Sequence, residues 1–197
     1  MAAFADTDEL IQFAQTFLRD RTDSLQHDVM VCTHGATAAF PAILYCFSTI
    51  DLLGALLGGD AKPTKGVTDR AKAYARCFMH YSADQCELLW GVFRHTIVHL
   101  AQPNPAKLFK SKKTTWRYWH DDGGHHLKLA PLIPPVHEAR TSGLSFDAEQ
   151  CLEISIRHLA VDIVDSVHAP GGYLHTLASD TELQEKFTKA VMEIYEP

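Results

Sequence analysis

Arg94, His95 and His99 stand together in "VFRHTIVHLAQPN", residues 92–104, at the end of an apolar stretch. On a regular helix His95 and His99, four apart, share a face, and Arg94 lies about 100° round from His95. The negative end of the helix dipole favours a protonated imidazole there, which suits a proton donor near neutral pH. Arg94 adds a permanent planar cation that matches a phosphate. Arginine with histidine can cleave a phosphodiester without a metal. One imidazole takes a proton from a ribose 2′-hydroxyl, another protonates the leaving oxygen, and the guanidinium stabilises the charge between them.

Two other readings of the same residues stay open. They can form a solvated helix end with no chemistry. A metal held by His95 and His99 would need further ligands, and no HExxH pattern or nearby acidic triplet supplies them. Asp51 is a carboxylate inside the most apolar segment of the chain. It either orients the Arg/His group or is structural, in a local hydrogen bond or a helix-packing ion pair with Arg70 or Arg76.

Arg94, four residues, then His99 resembles the R-x4-H motif of HEPN domains, an all-helical family. His95 takes the place of the polar residue that often follows the arginine in that family. The resemblance implies a helical bundle that often dimerises. In the ribonuclease members two copies of the motif meet to form one metal-independent active site, while other members only bind. Carried onto this sequence, Arg94 and His99 become the catalytic pair, His95 the accessory polar residue and Asp51 the acidic partner.

A second stretch fits the same chemistry. "KLFKSKKTTWRYWH", residues 107–120, interleaves Lys110, Lys112, Lys113 and Arg117 with Trp116 and other aromatics. Such a pattern can hold a phosphate backbone and stack on bases; alternatively it is a solvated loop whose rings pack on the fold. "HDDGGHH", residues 120–126, offers metal-ligand types, yet a turn explains its Asp and Gly residues. "LLGGD" is a helix C-cap and too short for a phosphate loop.

The elements that must position these residues are mostly helical. Asp6 with Glu9, Ser82 with Gln85 and Ser179 with Glu182 form capping-box patterns. Residues 40–57 predict a buried helix ended by Gly58 and Gly59; its Pro41, Asp51 and Gly54, and its length, argue against a membrane span. Further helices are predicted over residues 64–80, from Ser82 to before Pro103, over 146–168, and toward the C-terminus. Residues 25–37 read equally as a short strand or a loop. "TTWRYWHDDGGHHLKLAPL" predicts a β-hairpin turning at Asp-Asp-Gly-Gly. The expected fold is therefore mainly α: a HEPN-like bundle in a single domain, residues 1–197, with a β-hairpin inserted near residues 114–130.

Composition agrees with a globular chain: 197 residues, 46% hydrophobic and 21% charged. The net charge of −6 excludes a uniformly basic nucleic-acid binder and leaves only a local basic patch. Five cysteines, none in a CxxC pair, predict free thiols in a reducing compartment. The N-terminal "MAAFADTDEL" lacks the basic-then-apolar shape of a signal peptide, so a cytoplasmic location is expected. The functional expectation is RNA binding or metal-independent RNA cleavage with no cofactor, RNA and a second copy of the chain being the partners. The alternative is a protein-interaction or nucleotide-binding module in which the Arg/His motif is structural.

Overall fold

A computed structural model describes residues 4–36, 38–62, 66–94, 107–120, 125–133, 136–138 and 145–195. These residues are mainly α-helical, with one four-stranded and one two-stranded sheet. In chain order the elements are α1 Thr7–Thr33, α2 Ala39–Gly58, α3 Val67–Phe78 and α4 Ala83–Leu88, then a π-helical turn Leu89–Arg94. The strands follow: β1 Lys107–Phe109, β2 Lys112–Trp119, β3 Lys128–Pro131, β4 Val136–Glu138, β5 Ser145–Asp147 and β6 Gln150–Ser155. Helices α5 Ile156–His168, α6 Tyr173–Leu177 and α7 Thr181–Tyr195 close the chain. The contacts divide it into two compact units. Unit 1 takes residues 1–29, 45–81 and 160–197; unit 2 takes 30–44 and 82–159.

Unit 1 is helical. Leu10, Ala14, Leu18 and Leu25 give α1 one buried face at helical spacing, and Leu183, Phe187 and Val191 do the same for α7. Phe13 stacks on Phe17 and meets Phe187 edge-on. Tyr74 of α3 is fully buried beside Tyr173 and hydrogen-bonds Ser166 of α5 at 2.9 Å. Gly54 permits the closest helix approach. A Cβ there would lie 2.7 Å from the backbone of Arg70 and Ala71. Gly59, at φ +65, ends α2, and the Asp60 amide bonds back to Ala55 O at 3.1 Å, as a left-handed C-cap requires. By length and composition α2 is apolar enough to cross a membrane; 56% of its apolar window is buried within the protein.

Unit 2 is built around β6. The sheet order is β1-β2-β6-β3, with β6 parallel to β2 and antiparallel to β3. Cys151, Leu152, Ile154 and Ser155 are fully buried, as a strand covered on both faces demands. This corrects the expected helix over 146–168. Leu152, Ile156, Leu159 and Ile163 fit a helical period only because strand β6 runs straight into α5. Ser155 marks the junction: its Oγ accepts from the His158 amide at 3.1 Å, an N-cap.

The hairpin expected near residues 114–130 is also corrected. Strands β2 and β3 form there, but β6 lies between them and pairs with both. The apolar strand gains burial on two faces that a direct β2–β3 pair would leave open. The hairpin in the sheet joins β1 to β2 instead, through Lys110 and Ser111, both at positive φ. Elsewhere α1 extends through Thr33, over residues read as strand or loop, and α3 covers Val67–Phe78 within the expected 64–80.

Candidate functional site

Arg94 ends the π-helical turn and is half-buried. The local sequence starts this segment strongly. Ser82 Oγ accepts from the Gln85 amide at 3.2 Å, and Gln85 Oε1 accepts from the Ser82 amide at 2.8 Å, a complete capping box. Cys86, Leu89 and Trp90 are buried and anchor the segment. At Leu89 the helix widens from α to π. Such π turns recur at functional sites. This turn packs against β2. His95 and His99 lie outside the described residues. Asp51 is half-buried on α2 and belongs to unit 1, whereas Arg94 belongs to unit 2. Arg70, one of the expected structural partners of Asp51, bonds Asp60 Oδ2 at 2.8 Å and Lys62 O at 3.0 Å.

The basic stretch occupies the β1–β2 hairpin. Lys110, Lys112 and Lys113 are exposed. Lys110 pairs with Asp84, and Lys113 lies 3.7 Å from Asp147. Trp116 is 8% exposed and stacks on Tyr118 at 5.9 Å, so its ring serves the core of the unit. Arg117 projects from the other face of β2. Its guanidinium lies 3.7 Å from Glu153 Oε1 and 5.7 Å from the Trp119 ring centre.

That second face brings Arg117 and the histidines of the 120–126 stretch to Glu153 and His158, which the sequence reading did not single out. Glu153 of β6 sits in register between Arg117 of β2 and Lys128 of β3. Its side chain is 10% exposed, and Oε2 lies 3.2 Å from His125 Nδ1. The Trp119 ring is 5.8 Å from the His125 ring. Next to it, His126 Nδ1 accepts from the Ser155 amide at 3.2 Å and its ring stacks on His158 at 5.0 Å. Burial, with His158 acting in the same direction, pushes His126 down to about 3, so this imidazole stays neutral. The signal for Glu153 was present in "CLEISI", a lone carboxylate in an apolar run, but reading the run as helix separated it from Arg117 and His125. Among the described residues no group of three or more His, Cys, Asp or Glu could hold a metal.

No protein-family model matches the chain, and neither a curated protein nor a solved structure shows a significant similarity to it.

Proposed function

We propose that this protein binds single-stranded RNA and cleaves it without a metal, as a HEPN-like ribonuclease, with Arg94 and His99 as the motif pair. One observation supports the reading most. The turn that ends in Arg94 packs against β2, the strand that begins with Lys112 and Lys113 and continues to Arg117. The phosphate-matching arginine and the basic hairpin therefore belong to one unit. A chain of net charge −6 that places three exposed lysines on one hairpin has the local basic residues that this reading requires.

The test is RNA binding followed by fluorescence anisotropy across a salt series. Each neutralised phosphate contributes about −0.7 to the slope for a single strand, so replacing Lys110, Lys112 and Lys113 together with Ala should flatten the slope by about 2. Cleavage should resist EDTA, leave a 2′,3′-cyclic phosphate and a 5′-hydroxyl, and fall in Arg94→Ala and His99→Ala. An unchanged salt slope, or no RNA binding, overturns the reading. Light scattering with and without RNA tests the dimer that the motif implies.

A second reading has its own observation. Lys110 and Lys113 already face Asp84 and Asp147, and Trp116 is buried. On that reading the hairpin is structural and the protein is an interaction module. RNA binding that is absent in the parent and a melting loss in Arg94→Ala would favour it.

A further inference from the structure

We propose that the sheet face carrying Arg117 and Lys128 is a nucleotide subsite for the RNA strand, where the two cations take a phosphate and the His125 ring takes a base. This rests on the RNA reading above and leaves the chemistry with Arg94 and His99. Strand register makes the face. Arg117 of β2 and Lys128 of β3 each stand opposite Glu153 of the middle strand β6, so the three side chains leave one side of the sheet. Neighbouring strands lie about 4.8 Å apart, which puts the two cationic residues about 10 Å from each other along the backbone plane. Both are long enough to reach one phosphate held between them. The carboxylate does not bar it. Glu153 is 10% exposed, whereas the Arg117 side chain is 38% exposed and Lys128 is exposed, so the cations form the outer layer over the acid. Two permanent charges against one leave that layer a positive surplus.

The donors on this face are unspent. Arg117 stands 3.7 Å from Glu153 Oε1, an ion-pair distance too long for a hydrogen bond. Among the described residues its five N–H donors make no hydrogen bond, and Lys128 makes no ion pair. The hairpin lysines differ, since Lys110 pairs with Asp84 and Lys113 lies 3.7 Å from Asp147. A planar guanidinium with free donors is the group that matches a phosphate. The indole of Trp119 lies 5.7 Å from that guanidinium and limits its rotamers.

The ring makes the subsite one for a nucleotide rather than a bare phosphate. His125 leans on Trp119, with ring centres 5.8 Å apart and planes 33° from parallel, while its side chain stays 59% exposed. The indole backs the imidazole, and the exposed remainder offers a flat surface on which a base can stack. Trp119 touches both groups, so base and phosphate positions lie side by side. Cations beside aromatic rings are how a single strand is held without reading its sequence. The contact is separate from the hairpin. Lys113 shares this face, but it is four residues from Arg117, about 13 Å along the strand. Thr115 and Cys151, between the two, are buried.

The test uses the full chain and a single-stranded RNA oligonucleotide, with anisotropy read across a salt series. Lys128→Ala and His125→Ala alter exposed side chains and should melt like the parent. Lys128→Ala should flatten the salt slope by about 0.7, one phosphate contact. His125→Ala should weaken binding by about 5-fold or more, the low end of stacking on an aromatic side chain, and His125→Phe should restore it. An abasic strand of the same length should bind parent and His125→Ala alike, which separates a base from a bare phosphate. In cleavage His125→Ala should raise KM with kcat unchanged, the signature of binding shared by ground and transition states. Equal weakening on the abasic strand, or no rescue by Phe, overturns the stacking. If the parent binds RNA and both alanine variants keep its affinity and slope, the subsite is overturned and the RNA reading survives. If the parent binds no RNA, both fall.

Discussion

Replacing Gly54 with alanine tests the packing of α2 on α3 within unit 1. A Cβ there would stand 2.7 Å from Ala71 N and Arg70 C, and 2.8 Å from Ala71 Cα. Carbon atoms pack at about 3.5–4.0 Å, so the helices must part by about 1 Å. All three atoms are backbone, so no rotamer change relieves the contact. Overpacking of this kind costs about 1–3 kcal/mol, and rigid neighbours put the cost at the upper end. Alanine returns about 1 kcal/mol of helix propensity. The net loss is about 2 kcal/mol, or roughly 4–8 °C in Tm for a chain of this size. Gly58→Ala is the comparison, because its added Cβ would meet side-chain rather than backbone atoms, Arg70 Cδ at 2.7 Å and Cγ at 3.2 Å, so relief costs a rearrangement of the Arg70 side chain and its bonds to Asp60 and Lys62 rather than a separation of the helices. Melting followed by far-UV circular dichroism reads both. A Gly54→Ala protein that melts at or above the parent temperature would refute the close approach, since propensity alone would then govern.

Two further outcomes concern buried polar groups. Tyr173 Oη is buried with no hydrogen-bond partner among the described residues, and burial raises its pKa, with Tyr74 adding to the rise. Tyr173→Phe should therefore raise stability by about 1 kcal/mol or more, whereas Tyr74→Phe, which takes a partner from Ser166, should lower it by about 1 kcal/mol; equal effects in urea melts would contradict this contrast. His126 is held near 3, against 6.5 for a free imidazole, so between those values the unfolded chain binds a proton that the folded chain refuses. Stability present above pH 6.5 is lost as pH falls toward 3, at up to about 1.4 kcal/mol per unit. His126→Gln should flatten that slope in pH-dependent denaturation, and an unchanged slope would show that the ring is not buried as described.

Local signals were the legible ones. Ser82 and Gln85 form their capping box, and Gly58–Gly59 ends α2, because each depends on neighbours within a turn. At α7 the cap moves by one residue. Asp180 Oδ1 accepts from the Leu183 amide at 3.0 Å, in place of the Ser179–Glu182 bond expected from the sequence, because a carboxylate is as good a cap. The sheet was not legible, since β6 finds its partners around Thr114 and Lys128, far along the chain. Its apolar residues satisfied a helical period by accident of the junction with α5. With the strand misread, Glu153 had no reason to meet Arg117 or His125. The candidate site was thus visible as Arg117 and a histidine-rich turn, and its organising carboxylate was hidden by a register that only distant strands set.

The interleaving of the two units bears on how the chain is made. Unit 1 needs residues 160–197 as well as 1–29, and all of residues 82–159 are synthesised between them. During translation the apolar face of α1 therefore waits for α7, including the Phe187 ring that Phe13 meets, while the sheet unit is already complete. The apolar face of α1 thus stays without its α7 partner until residues 181–195 have been made, after every residue of the sheet unit.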